Sequence, residues 1–150
     1  MSDAELTPRR SRLPNVSLPP LGGGAAVPLR APRHGTVLVL LGADAAERDA
    51  AYLRALADAG PSLAEWDGRV LVIVEGDDAP RPALAALGVP FPVLLDREGA
   101  VARAAGVAAP AVVVLDQWGD VHAAEPAAGE WLAVSELVGW LRLMAIRCGG

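Results

Sequence analysis

Along this chain two segments, Thr36–Leu41 and Arg69–Val74, are aliphatic at nearly every position instead of every second one. A strand of that kind must be covered on both faces, the condition of a central strand in a parallel sheet. After the first segment, Gly42-Ala43-Asp44 reads as a loop. Asp44 stands as an N-cap with Glu47 three residues on, in the manner of a capping box. The helix so begun is expected to run to about Ala59 and stop at Gly60-Pro61, with Ala46, Ala50, Leu53 and Leu56 or Ala57 on one face. After the second strand a short helix is predicted from Pro80 or Pro82 to Leu87, because proline suits a first helical turn. An extended segment Val89–Asp96, a turn at Arg97-Glu98-Gly99 and a small helix ending at Gly106 follow.

Ala111–Leu115 and Asp120–Ala123 read as two antiparallel strands around the turn Asp116-Gln117-Trp118-Gly119. Trp131–Arg147 is the last predicted helix, with Val134, Leu137, Val138, Leu141 and Met144 or Ala145 at i, i+3, i+4, i+7 spacing. Upstream, Asn15–Leu18 and Ala26–Leu29 flank Gly22-Gly23-Gly24 and predict a small β-hairpin. The polar stretch Met1–Arg12 reads as a flexible arm, which leaves residues 13–150 as one α/β domain. Its first half requires parallel strands with helical crossovers and its closing hairpin adds antiparallel ones, so the sheet is mixed.

The apolar fraction of 53% is ample for a core, and with aromatics at 4% that core is built of Ala, Val and Leu. A net charge of -5 offers no basic face, so nucleic acid is not an expected partner. The apolar run Thr36–Gly42 falls far below the roughly 18 residues of a membrane-spanning helix. The start Met1-Ser2-Asp3-Ala4-Glu5 is acidic and unlike a secretory signal, so the expected location is the cytoplasm, without membrane contact. The single cysteine, Cys148, excludes an intrachain disulfide and a multi-cysteine zinc site.

Three phrases carry a resemblance. Leu13-Pro14-Asn15-Val16-Ser17-Leu18, the glycine turn and Val27-Pro28-Leu29 resemble the N-terminal hairpin of the redoxins, the AhpC/TSA peroxiredoxins and their thioredoxin-like relatives. Phe91-Pro92-Val93-Leu94-Leu95-Asp96-Arg97-Glu98-Gly99 is similar to the redoxin segment of phenylalanine-proline, apolar run, aspartate and glycine. Gly106–Gly119 looks like the family's proline strand and hairpin. The resemblance spans about Leu13 to Ile146 and implies a thioredoxin-like fold, with Pro110 as the cis-proline beside the active-site loop. A trans proline opening an edge strand is the alternative.

In that family the chemistry belongs at the start of the helix after Thr36–Leu41, where a helix N-terminus stabilises a thiolate. Here the stretch reads Gly42-Ala43-Asp44-Ala45-Ala46-Glu47-Arg48-Asp49, with no cysteine. Matching Tyr52-Leu53 to the redoxin helix puts the two vacated cysteine positions near Ala46 and Asp49, within about one residue. The arginine that peroxiredoxins set beside the thiolate is not evident either, since Ala109-Pro110 stands at the strand entrance.

Other candidates are weaker. Cys148 ends the last helix, where the helix dipole disfavours a thiolate although Arg147 acts the other way; a solvent-exposed thiol is the expectation. His34 and His122 are expected to be solvated, and Asp44, Asp77, Asp78 and Asp96 are not spaced as a ligand set, so neither metal nor cofactor is expected. Glu75 stands at the end of a strand where α/β sheets place ligands. Tyr52, Trp66 and Trp131 read as packing residues, and Trp118 at the hairpin tip as a contact surface. Neither a phosphate loop nor a nucleophile elbow is present.

Two function classes follow. One is a redoxin homologue without dithiol or peroxidase chemistry at the usual site, acting as a binding or scaffold module for a protein partner or as a homodimer. The other is a thiol-dependent oxidoreductase of the AhpC/TSA type that uses Cys148 or a partner's cysteine. A small-ligand pocket around Asp44, Glu47 and Pro110 is a third option.

Overall fold

The computed structural model describes residues 12–42, 47–75, 88, 90–127 and 129–148, without the side chains of Glu47, Arg48 and Cys148. A two-residue hairpin, β1 (Ser17–Leu18) with β2 (Val27–Pro28), precedes the main sheet. The sheet has five strands: β3 (Gly35–Leu41), β4 (Gly68–Glu75), β5 (Val93–Asp96), β6 (Ala111–Leu115) and β7 (Val121–Pro126). Their spatial order is β5-β4-β3-β6-β7, with β3, β4 and β5 mutually parallel and β6 and β7 joining antiparallel. Among the described residues four helices accompany them: α1 (Glu47–Asp58), α2 (Gly60–Glu65), α3 (Ala100–Ala105) and α4 (Val134–Cys148).

The continuous apolar runs divide by alternation between two buried layers. Val37, Val39, Leu41, Val70, Val72, Val74, Val112 and Val114 face one core, closed by α1, α2 and α4 through Leu53, Leu56, Leu63, Leu137 and Leu141. Leu38, Leu40, Leu71, Ile73, Val113 and Leu115 face the other, closed by α3 and the hairpin through Val101, Ala105, Leu13 and Leu29. Both faces of β3 are therefore dry, as its sequence requires.

Several boundaries differ from expectation. Gly60-Pro61 opens the short helix α2 instead of ending helical structure, because Pro61 sits in a first turn where its missing N–H is not needed. Strand β7 extends to Pro126, since its pairing with β6 continues to Ala111↔Pro126. Of the segment Val89–Asp96, Val93–Asp96 is strand, pairing with β4 from Val72↔Val93, while Val89 lies outside the described residues. Helix α4 starts at Val134, leaving Trp131 in the preceding loop. Arg12, at the end of the expected arm, is anchored by Asp120 through a 2.7 Å ion pair. Residues 1–11 and the expected helix at 80–87 lie outside the described residues.

Candidate functional site

Parallel strands β3 and β4 end on the same side of the sheet, and antiparallel β6 begins there, with Ala111 opposite Leu40. The end of β3, at Leu41 and Gly42, and Pro110 therefore lie at one edge. The Ala109–Pro110 peptide bond is cis, and the Pro110 carbonyl accepts a 2.8 Å hydrogen bond from Ala127 N–H. That bond turns the chain after β7 across this edge, and the loop carries Trp131 and Leu132 to α1.

What they meet there is a buried polar cluster. Asp49, in the first turns of α1, is 4% exposed. Its Oδ1 accepts a 2.9 Å hydrogen bond from the Trp131 indole Nε1–H. One helical turn on, the Tyr52 ring stacks on Trp131 with centroids 4.7 Å apart and planes at 10°. The Tyr52 hydroxyl donates a 2.6 Å bond to the Leu132 carbonyl. Burial pushes the Tyr52 phenol above its ordinary range, because a phenolate there would lose its hydration. Of the two positions matched to cysteines, Asp49 is thus a carboxylate held by an indole, and Ala46 lies outside the described residues, as do Asp44 and the Glu47 side chain. No local pattern foreshadows the cluster: Asp49 and Trp131 stand 82 residues apart.

Elsewhere His122 corrects an expectation. Its side chain is 5% exposed, not solvated, and its Nε2 lies 2.9 Å from Asp116 Oδ2. Asp116 Oδ1 also accepts from the backbone N–H groups of Trp118 and Asp120 at 2.9 and 3.0 Å, so one carboxylate organises the whole β6–β7 turn. The short turn brings His122 back within reach of Asp116, which is why the ring is enclosed. His34 remains exposed and donates from Nδ1 to the Asp67 carbonyl at 3.0 Å. Trp118 is 49% exposed at the tip, its carbonyl bound by the Arg30 guanidinium. Trp66 is half-buried with Arg142 5.7 Å above its ring.

Asp96 caps α3 with both oxygens, toward Ala100 and Val101 N–H at 3.2 and 2.9 Å, and so is spoken for structurally. Glu75 ends β4 beside Gly99, where an added Cβ would lie 3.1 Å from its Oε1. Asp77 and Asp78 lie outside the described residues. A cavity of about 260 Å³ opens at the opposite end of the sheet, between His34, Trp66, Asp67, Gln117 and Met144. Among the described residues no three His, Cys, Asp or Glu side chains group as metal ligands. No helix among them is long and apolar enough to cross a membrane.

No protein-family model and no curated protein sequence matches this chain. Solved structures do. The AhpC of Enterococcus faecalis superposes with a TM-score of 0.78 at 20% identity, over 93% of this chain and 93% of that one. A putative thioredoxin from Neisseria meningitidis gives 0.71 at 20% identity, over 93% and 92%. A putative thiol:disulfide interchange protein DsbE from Chlorobium tepidum gives 0.68 at 18% identity, over 92% and 97%. The fold is thioredoxin-like: a mixed five-stranded sheet flanked by helices, with an N-terminal antiparallel hairpin.

Proposed function

We propose that this thioredoxin-fold chain is a redoxin relative that has given up thiol chemistry at the usual site and serves as a binding or scaffold module. One observation carries the reading. At the helix start after β3, where the redoxin resemblance calls for a thiol, the chain has no cysteine and instead buries Asp49 against the Trp131 indole. A carboxylate cannot be oxidised and re-reduced as a thiolate can, and neither an indole nor a hydrogen-bonded phenol replaces a nucleophilic sulfur. Tyr52 and Trp131 stack over this place as packed aromatic surface.

The alternative, a thiol-dependent oxidoreductase, would work through Cys148, some hundred residues along the chain and beyond the end of β7, or through a cysteine of a partner. Activity and binding are separable by experiment. Peroxide consumption and thiol-driven disulfide reduction are measured on the wild type and on Cys148→Ser. Background rates in both proteins support the binding-module reading. A rate present in the wild type and lost in Cys148→Ser overturns it in favour of the oxidoreductase. The proposal includes a cytoplasmic location and a protein partner, and it excludes nucleic acid.

A further inference from the structure

Two loops meet at the end of the sheet remote from Pro110, and each turns on a residue with positive φ. Ala31–His34 is a turn closed by His34 N–H to the Ala31 carbonyl at 3.2 Å, with Pro32 in second place and Arg33 in third, at φ 65°. That pattern ordinarily calls for glycine in third place. Helix α2 closes in a similar way: Trp66 is its C-cap and Asp67 follows at φ 54°, again a position where glycine is usual. Among the described residues these are the two non-glycine positions with positive φ. One is a cation and the other an anion, and both line the cavity of about 260 Å³. Non-glycine residues held in this conformation cluster at ligand sites, where the surrounding structure keeps a side chain in a set place.

The two loops are tied to each other. The Asp67 carbonyl accepts from Gly35 N–H at 3.1 Å and from His34 Nδ1 at 3.0 Å. Gln117 Oε1 accepts from Arg33 N–H at 3.1 Å, which fixes the amide and leaves its NH2 to donate elsewhere. The Arg33 guanidinium and the Asp67 carboxylate, both on exposed residues, make no ion pair or side-chain hydrogen bond among the described residues. Asp116, the other acid lining the cavity, is spent on His122 and on the amides of its own turn. Below these charges the lining is apolar: buried Leu141 and Met144, with half-buried Trp66. The cavity thus joins an unspent cation, an unspent anion and an apolar floor.

We infer that this cavity binds a small zwitterion, an α-amino acid with an apolar side chain. Arg33 and the Gln117 NH2 take its carboxylate, Asp67 takes its ammonium, and its side chain rests on Trp66, Leu141 and Met144. A singly charged ligand would leave one rim charge uncompensated as the cavity fills and water is displaced, which discriminates against it. At about 260 Å³ the cavity lies just below the roughly 300–1,000 Å³ of drug-sized pockets, so the ligand is of amino-acid size. The site goes beyond the binding-module reading: it lies at the opposite end of the sheet from Pro110 and uses no thiol. Failure of the binding test would leave the outcome of the thiol assays untouched, and their failure would leave it untouched.

The test is a nuclear magnetic resonance titration of the backbone amides of the full chain. The probes are L-phenylalanine, phenethylamine, which lacks its carboxylate, and phenylpropanoate, which lacks its ammonium. L-phenylalanine is expected to bind saturably with a dissociation constant below about 1 mM, shifting the amides of Arg33, His34 and Gln117. Each analogue should bind about tenfold more weakly. Arg33→Gln should weaken L-phenylalanine about fivefold and leave phenethylamine unchanged. Asp67→Asn, which suits the same backbone conformation, should weaken L-phenylalanine as much and leave phenylpropanoate unchanged. Ala145→Phe, at a half-buried position of the cavity lining on α4, should abolish binding of all three while the amide spectrum elsewhere stays that of the folded protein. Absence of a saturable shift by about 10 mM L-phenylalanine overturns the inference. So does equal affinity for the three compounds, indifference to Arg33→Gln or Asp67→Asn, or binding that survives Ala145→Phe.

Discussion

Replacing Trp131 by phenylalanine removes the indole N–H and little else, since a phenyl ring can still stack on Tyr52. The Asp49 carboxylate, 4% exposed, then loses a 2.9 Å hydrogen bond in a place where water has little access to replace it. A hydrogen bond to a carboxylate contributes about 1.5–3 kcal/mol. The expected destabilisation is therefore about 2 kcal/mol. For a domain of this size that lowers Tm by about 4–8 °C. Urea denaturation gives the free energy, and a cycle with Asp49→Ala isolates the pair. Coupling of at least about 1 kcal/mol is expected between the two substitutions. Trp131→Phe within about 0.5 kcal/mol of the wild type, or additive single effects, would refute the claim that this pair holds the helix start to the loop after β7.

Asp116→Ala should cost about 2–4 kcal/mol by equilibrium denaturation, because Trp118 N–H, Asp120 N–H and the His122 ring lose one shared acceptor; a smaller loss than for Trp131→Phe would contradict the ranking. Gly68→Ala should destabilise by about 1–3 kcal/mol, since its Cβ would lie 2.5 Å from Leu141 Cδ1 and 3.0 Å from the Leu63 carbonyl, which is backbone and cannot move aside. Gly35→Ala should cost less, because its short contacts are the mobile tips of Leu141 and Met144. Tyr52 is the single tyrosine, so phenolate absorbance reports on it alone. Its folded-state value is raised above the ordinary 10.0, so the stability it contributes is fully present below pH 10 and falls as pH climbs further. The phenolate signal should rise only together with unfolding, and ionisation in the folded protein at its ordinary value would contradict the burial.

The sheet was legible because β3 and β4 announce themselves: a strand dry on both faces leaves no polar position, and alternation then assigns Val39 and Leu40 to opposite cores. The hairpin and α3 were legible through their glycines and prolines. Helix ends were harder to place. Pro61 looks the same whether it stops a helix or begins one, and only the packing of Leu63 into the first core decides for α2. Trp131 continued the helical pattern of α4 in sequence, yet its ring is committed to Asp49 and Tyr52 on another helix. The enclosure of His122 has a related cause. In a regular hairpin its ring would reach water, but the shift in the β6–β7 register near Leu115 accompanies its enclosure against Asp116. At the candidate site, the absence of cysteine is a sequence fact, whereas what occupies the place depends on contacts across 82 residues that no local pattern encodes.

The most direct test of the vacated site uses the fact that the chain has one thiol. Hydrogen peroxide is added to the fully reduced protein and the oxidation of Cys148 is followed by intact mass against time. The expected result is slow oxidation, first order in peroxide, no faster than that of a cysteine in a short peptide. Rapid oxidation well above that rate, recycled by added reductant into continuous peroxide consumption, would contradict the account and return the protein to the working peroxidases.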